Sequence, residues 1–306
     1  MSLRSFVRKP LVLPAFIIIV VLIVAGAAQW RKAAADPQAV FWGMVNQSLA
    51  TSSVTVQAAQ QNSATSVSQV VQYATGVNPI SHSVTTLAQS NARVVDEMIG
   101  TPTADYTRYV SVETNALTPS GKQLDFSKVL GVWAKSNAGT GLPGNDGSVQ
   151  FAQSVLGTGL PLGGVAIPIA NLPTAQRSKL VNNIRSANVY QVNFGTIKKT
   201  SERGRQLYTY DVTIQPILYA TMMKTFAQAV GIHDLDQLDP NTFSGQDKLQ
   251  LQLTVDVGAR HLVTAAIPAG HITQQYGSYD AAVTTTLPAH TVTGAELQNR
   301  LTHIQQ

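Results

Sequence analysis

Alternation of apolar and polar residues at every second position is the feature that most constrains this chain. Between Lys248 and Val257 the apolar residues take the odd positions, and Gln, Thr and Asp take the even ones. Successive side chains of a strand point to opposite faces, so this segment predicts a half-buried β-strand. Shorter β-branched runs occur at 54–56, 66–72 and 82–87. The chain therefore predicts an antiparallel sheet that is buried on one face.

More strands are predicted further along the chain. Residues 93–114 contain two of them. Residues 189–197 and 207–214 each place aromatic and β-branched side chains on one face, and we expect them to form a hairpin whose connecting loop is the basic segment 198–205. The last predicted strands lie at 260–267 and 271–287.

Three amphipathic helices long enough to cover the sheet are predicted at 37–50, 174–187 and 216–230. The first begins with Asp36 as N-cap and Pro37 at the first helical position. Its apolar stripe comprises Val40, Phe41, Met44, Val45 and Leu49. Shorter helical patterns occur at 125–136 and 148–156, and a short helical or frayed tail at 293–304.

An uncharged apolar run, Leu11–Ala28, precedes all of these elements. A helix of this length spans roughly 27 Å, close to the hydrocarbon thickness of a bilayer. Basic residues flank the run on both sides, with the larger number before it, so the positive-inside rule favours a cytoplasmic N-terminus. The residues expected to contact the bilayer and its interface are Leu11, Phe16, Ile18, Val21, Ile23 and Trp30.

A cleavable secretory signal is the main alternative to this uncleaved signal anchor, since the small residues Ala25–Ala28 suit a signal peptidase. A buried helix of a soluble fold is a third interpretation. Both leading interpretations export the rest of the chain. The predicted organisation is a cytoplasmic tail (1–10), a transmembrane anchor (11–29), a linker (30–36), an extracytoplasmic domain (37–292) and a C-terminal tail (293–306).

The charge of the chain belongs to the anchor. The sequence has 21 Lys and Arg against 16 Asp and Glu, a net charge of +5. Five of the basic residues flank the apolar run, which leaves 16 basic and 16 acidic residues beyond it. A nucleic-acid-binding domain needs a basic footprint, so this partner is excluded. The chain has no cysteine, which excludes disulfides, thiolate metal sites and a cysteine nucleophile.

Motifs for catalysis are missing from the sequence. The six histidines form neither an HExxH motif nor an i, i+4 pair, and neither G-x-S-x-G nor S-x-x-K occurs. A formal G-x-G-x-x-G match at 139–144 does not follow a convincing strand. We therefore predict no enzymatic activity, no cofactor and no metal site. Two ambiguous clusters remain: Asp234, Asp236 and Asp239 fit either Ca²⁺ or a polar turn, and segment 198–205 fits either lipid phosphates or a solvated turn.

The predicted fold class is α+β: a transmembrane helix, then a strongly curved antiparallel β half-barrel with helices packed against its concave side. A loose fit between helices and sheet leaves an apolar cavity, whereas a fully packed core explains the same stripes without a ligand. The residues predicted to line such a cavity are Tyr190, Val192, Phe194, Tyr208, Tyr210, Val212, Leu218, Met222, Phe226, Leu251, Leu253 and Val255.

The order of these parts resembles an exported lipoprotein-carrier superfamily. The likeness lies in the opening helix 37–50, the hairpin 189–214 that leads into a helix, the strand ending Leu253–Val257, and the closing pattern from Tyr276 to Pro288. In these respects residues 36–292 are similar to LolA, LolB and the LppX-like proteins. The resemblance implies a half-barrel that encloses a site for acyl chains, and the N-terminal helix departs from the lipidated or free forms of those proteins.

The resulting hypothesis is a membrane-anchored extracytoplasmic domain that binds lipid or another hydrophobic ligand without catalysis. Its expected partners are the bilayer, through the N-terminal helix, and the ligand. The alternative is an envelope or cell-surface module that binds an envelope protein and has a fully packed sheet.

Overall fold

The computed structural model describes residues 35–61, 64–76, 79–137, 166–230, 235–236 and 238–305. The predicted anchor 11–29, the helical pattern 148–156 and the glycine motif 139–144 lie outside these residues. The described chain is α+β, with one large, mostly antiparallel sheet and a few helices. Among the residues described, no helix is both long enough and apolar enough to cross a bilayer.

The described sheet has thirteen strands. In sheet order they run β13-β6-β5-β4-β3-β2-β1-β12-β11-β10-β9-β7, with β8 also paired to β9. Every pairing is antiparallel except the short one between β13 and β6. Their bounds are β1 Ser53–Gln61, β2 Thr65–Ala74, β3 Ile80–Gln89, β4 Ala92–Gly100, β5 Ala104–Thr114, β6 Ala134–Asn137, β7 Tyr190–Val192, β8 Lys198–Glu202, β9 Arg205–Ile214, β10 Leu249–Asp256, β11 Leu262–Ile267, β12 Ile272–Gly277 and β13 Val292–Thr293.

Four α-helices accompany the sheet in the described part of the chain: α1 Pro37–Ser48, α2 Thr174–Ser186, α3 Pro216–Ala229 and α4 Gly294–Thr302. Helix α1 starts where the sequence predicts, since the Asp36 carboxylate accepts a hydrogen bond from the Ala39 N–H at 2.8 Å. Its predicted stripe is confirmed, because all five side chains have 0% exposure. The predicted helices at 174–187 and 216–230 are confirmed as α2 and α3.

The predicted helix at 125–136 is wrong. Residues 127–129 form a turn, and β6 begins at Ala134. Gly131 between them has φ +73°, which a helix does not accommodate, and its N–H donates to the Tyr109 carbonyl of β5 at 2.9 Å. Pairing with β5 therefore outweighs the local helical pattern.

The hairpin loop predicted at 198–205 is also wrong, because most of it is strand β8. Only Arg203 and Gly204 form the turn, with φ of 49° and 78°. Two successive positive φ angles are typical of a type I′ turn, which matches the twist of the flanking strands. The segment before it is shorter than predicted: β7 ends at Val192, and Phe194 lies in the turn that follows.

The last predicted strand, 271–287, ends early. Strand β12 stops at Gly277, after which Ser278 and Asp280 adopt φ of 49° and 56°. The Asp280 carboxylate accepts hydrogen bonds from the N–H and hydroxyl of Ser52, at 2.7 and 2.8 Å. This contact fixes the turn against the start of β1 and explains why the strand does not continue. The predicted helical tail is confirmed as α4, whose Leu297 packs with Val129 and Ala134.

Contact with helix α1 distinguishes the two faces of the sheet. Val56, Tyr210 and Leu253 lie in one buried cluster with Phe41 and Met44 of α1. We call the surface of the sheet that carries these strand residues the helix-side face, and the opposite surface the outer face. Residues directly opposite one another in neighbouring strands share a face, so the register assigns each strand residue to one of the two.

Candidate functional site

The twelve residues predicted to line a cavity lie together, as part of one apolar cluster with α1. Nine of them are buried, and Val192, Phe194 and Leu218 pack against the rest. The register places Leu253 opposite Tyr210 and Leu251 opposite Val212, so the strand residues share the helix-side face as predicted. Their role as ligand contacts remains a prediction.

Helix α1 fills the space in front of these strands. The Phe41 ring makes edge-to-face contacts with Tyr190, Phe194 and Tyr210, with ring centroids 6.1, 6.0 and 5.4 Å apart. Phe41, Tyr210 and Leu253 have 0% exposure, so none of them borders a space that admits a water molecule. In this conformation a ligand reaches these three side chains only if α1 moves.

Three tyrosine hydroxyls of the cluster hold main-chain carbonyls. Tyr208 donates to Ala35 at 2.9 Å, Tyr210 to Pro37 at 2.9 Å and Tyr190 to Ala166 at 3.0 Å. Burial raises the pKa of Tyr190 and Tyr210 above the usual range. The hydroxyls of Tyr208 and Tyr210 fasten the start of α1 to β9, and that of Tyr190 fastens the segment at Ala166 to β7.

The helix-side face continues beyond this cluster onto strands β2–β5. Val56 of β1 lies opposite Val71, Val71 opposite Ser83, and Ser83 opposite Met98. In the described residues, no buried member of the main cluster comes from β2–β5. The apolar and aromatic side chains that these strands contribute to the helix-side face are Val67, Val71, Tyr73, Leu87, Ala92, Val94, Met98, Tyr109 and Val112.

Most of these side chains keep some contact with solvent. Val71 is buried, but Val67, Leu87 and Val94 are intermediate, and Met98 is 37% exposed. The same face also carries small hydroxyl residues between the apolar ones. It forms a mixed surface of accessible valine, leucine and methionine that borders the packed cluster through Tyr73.

Two acids lie on this part of the helix-side face: Asp96, and Asp105 of β5, which is opposite Gly100. Asp96 is opposite Thr85 on one side and Tyr109 on the other. Burial raises the pKa of Asp96, while hydrogen bonds from its own backbone and from Thr85 act in the opposite direction. Burial and the neighbouring Asp96 charge raise the pKa of Tyr109. The face is therefore apolar toward β2 and more polar toward β5.

The outer face of the same strands carries an ion-pair ladder. Glu97 of β4 contacts the His82 Nε2 at 2.7 Å, and the Arg108 Nε donates to its second carboxylate oxygen at 2.7 Å. The Arg108 guanidinium also lies 4.7 Å from the centre of the Trp133 ring. Burial alone raises the pKa of Glu97, but hydrogen bonds and charge from His82 and Arg108 outweigh it and hold the pKa below its usual value.

A polar groove of about 470 Å³ lies at the β13 end of the sheet. Its lining consists of Lys135, Ser136, Thr291, Val292, Thr293 and Glu296. In the part of the chain that the structure describes, no three His, Asp or Glu residues lie close enough together to hold a metal ion. Of the predicted acidic cluster, Asp239 caps the short 3-10 helix Pro240–Phe243, accepting from the Asn241 N–H at 3.0 Å.

Comparisons with known proteins do not assign this chain to a family. Neither the search of family models nor the search of curated proteins finds a match. The functional argument therefore rests on the residues themselves.

Sequence reasoning missed the helix-side face of β2–β5 as a candidate site. Its signal was present, because residues 37–92 contain no charged residue and alternate valine with hydroxyl and amide side chains. Alternation identifies the strands. It does not tell which strands a helix will cover, since that depends on packing between distant segments.

Proposed function

We propose that this chain is a membrane-anchored extracytoplasmic domain that binds a lipid acyl chain or another hydrophobic ligand, without catalysis. The proposed anchor is the apolar run 11–29, and the proposed contact surface is the helix-side face of β2–β4. The observation that carries the proposal is the accessible apolar row of that face, which adjoins the packed cluster at Tyr73.

The energetic basis is the burial of apolar surface. Each methylene group transferred from water into apolar contact contributes about 0.8 kcal/mol. Val67 of β2 lies directly opposite Leu87 of β3, and Leu87 lies opposite Val94 of β4, so an extended chain can cross these three strands in succession. Met98 lies four residues further along β4 on the same face. The few polar groups nearby, such as Thr85 and Asp96, suit orientation of a polar headgroup.

The proposal includes a half-barrel shape for the sheet. Twelve strands lie in one continuous path, and twisted open sheets rarely exceed about ten strands without curling. Curling around α1 places the helix-side face on the concave surface. This shape is what the resemblance to LolA-like carriers implies, and the twelve predicted cavity residues then form the packed floor beside the ligand.

Paired substitutions on the two faces of β2–β4 test the proposal. Met98 and Val84 are equally exposed, at 37%, but Met98 lies on the helix-side face and Val84 on the outer face. The double variant Leu87→Gln/Met98→Gln is compared with Val70→Gln/Val84→Gln, both in the full-length chain extracted in mild detergent. We expect the helix-side variant to retain much less specific lipid, because two lost apolar contacts of about 1 kcal/mol each weaken binding about 30-fold.

The measurement is lipid per protein chain, by solvent extraction and mass spectrometry. Lipid that surrounds the anchor is common to both variants, so the outer-face variant corrects for it. Equal lipid content in the two variants would contradict the proposal. A folded full-length chain that carries only anchor lipid, and that recovers one envelope protein reproducibly, would favour the protein-interaction alternative.

A further inference from the structure

The β8–β9 hairpin carries an exposed basic tip. Residues 198–206 are all exposed, and they include four basic residues and one acid: Lys198, Lys199, Glu202, Arg203 and Arg205. Beyond the anchor the chain has equal numbers of acidic and basic residues. The net charge of +3 at this one turn is therefore a local excess of positive charge and not a general property of the domain.

The tip lies beside the point where the described chain begins. Tyr208 of β9 donates a hydrogen bond to the Ala35 carbonyl, and the Lys199 ammonium lies 5.3 Å from the centre of the Tyr208 ring. Gly204 precedes Tyr208 by four residues, about 13 Å along a strand. The turn of the hairpin is thus close to residue 35.

The chain length between the apolar run and Ala35 sets how far the tip can be from a membrane. Seven Cα–Cα steps separate Ala28 from Ala35, a reach of about 25 Å at most. Arg31 and Lys32 lie within this linker. Because the linker holds the domain this close to the bilayer, the hairpin tip can reach the lipid headgroups when it faces the membrane.

Nearby carboxylates do not neutralise the tip. Asp36 caps α1 through the Ala39 N–H, and Asp256 accepts from the N–H groups of Gly258 and Ala259 at 2.9 Å each. Asp256 pairs with Arg205 only at 3.8 Å. The remaining basic residues Lys198, Lys199 and Arg203 are exposed, and the Lys199 ammonium lies beside the Tyr208 ring.

We propose that the β8–β9 hairpin tip docks on anionic phospholipid headgroups of the membrane that holds the N-terminal anchor. This inference rests on the anchor in the proposed function. The lysine and arginine side chains supply the attraction, and each contributes about fivefold to the docking equilibrium near an anionic surface. Docking adds a second contact to the anchor and so fixes the orientation of the domain over the bilayer.

The test uses the full-length chain in two kinds of vesicle, phosphatidylcholine alone and phosphatidylcholine mixed with phosphatidylglycerol. Because the chain contains no cysteine, Ser201→Cys provides a unique fluorophore site at the tip, and Ser120→Cys provides one on the loop after β5. Nitroxide-labelled headgroups report contact by quenching. We expect several-fold stronger quenching at position 201 when the anionic lipid is present, and no such change at position 120.

Charge removal sharpens the test. The variant Lys198→Gln/Lys199→Gln/Arg203→Asn keeps the turn, since Asn tolerates the positive φ at 203. The matched control Lys122→Gln/Lys179→Gln/Lys248→Gln removes the same charge from exposed positions elsewhere. The tip variant should lose about 100-fold in docking, and the control should retain it. Salt should weaken docking in the parent chain, because the Debye length shortens.

Flotation and quenching together separate a failure of the anchor from a failure of the docking. Flotation with vesicles of phosphatidylcholine alone reports the anchor by itself, so a chain that does not float with them overturns both the anchor and the docking. A floating chain with quenching that is equal in the two vesicle types, or unchanged in the tip variant, overturns the docking alone. Loss of quenching when inorganic phosphate replaces chloride at constant ionic strength would assign a free-phosphate site and overturn the lipid assignment.

Discussion

The helix-side face of the sheet behaves differently in two groups of strands. Over β1, β7 and β9–β12 it carries mostly buried tyrosine, leucine and valine, in one cluster with side chains of α1, α2 and α3. Over β2–β5 it carries mainly valine, serine and threonine, together with Tyr73, Leu87, Asp96 and the accessible Met98. Both groups share the same alternation, so alternation alone does not produce a core. A core also needs large side chains and a helix that brings a matching stripe.

Truncating one leucine in each group gives the largest expected difference. Leu253 in β10 has 0% exposure, whereas Leu87 in β3 is only partly buried, and both lie on the helix-side face. Leu253→Ala should lower the free energy of unfolding by about 3–4 kcal/mol, because a cavity remains in a close-packed region. Leu87→Ala should cost less than about 1.5 kcal/mol.

Urea denaturation at neutral pH, followed by circular dichroism, measures both values. Similar losses for the two variants would mean that β2–β5 are packed as tightly as the helix-covered strands. That result would contradict both the difference between the two groups of strands and the proposed ligand surface on β2–β4.

A smaller effect is expected on the outer face of β3–β5. Removing the charge in Glu97→Gln should cost about 1–2 kcal/mol at neutral pH, because hydrogen bonds to His82 and Arg108 are lost or weakened. The pKa of Glu97 in the folded state lies below its ordinary value of 4.5. Its contribution is therefore present above pH 4.5 and is lost as the pH falls through the folded-state pKa.

Stability curves of the parent chain and of Glu97→Gln should accordingly converge in acid. Urea midpoints measured across this range give the test. A constant difference between the two proteins down to the lowest pH at which they fold would show that the lost stability has a packing origin and not an ionic one.

The smallest effect is expected at the Arg93–Glu113 pair of β4 and β5. These groups are 3.9 Å apart, with side chains 54% and 66% exposed. Exposed pairs contribute little, so Glu113→Gln should change the free energy of unfolding by less than about 0.5 kcal/mol. A loss as large as that of Glu97→Gln would indicate that this edge is better shielded than its exposure suggests.

The elements that sequence predicts well are those with a complete local signal. Asp36 and Pro37 set the start of α1, and its apolar stripe matches one face of a helix. Residues 249–256 alternate without interruption and form β10. In both cases the signal lies within one segment and agrees with the tertiary contacts made later.

The elements that sequence misses depend on a partner elsewhere in the chain. Residues 134–137 form a strand because β5 offers an edge, although their local pattern is helical. Strand β8 has no apolar face, and it forms because the turn at Arg203 and Gly204 folds it onto β9. The twelve predicted cavity residues were correctly placed on one cluster. The sequence left open whether these residues line a cavity or pack fully, since this depends on how Phe41 fits among three aromatic rings.

The pairing of β1 with β12 has a consequence for the order in which the domain assembles. Ser52 at the start of β1 is held by Asp280, 228 positions later in the chain. The meander β1–β5 emerges first during synthesis, yet the outer edge of β1 has no strand to pair with until β12 arrives. This separation in sequence favours slow folding, because the long loop between β1 and β12 must close before their pairing stabilises the sheet. If the domain is exported as proposed, this delay falls on the far side of the membrane, where the first strands must stay soluble until the last ones arrive.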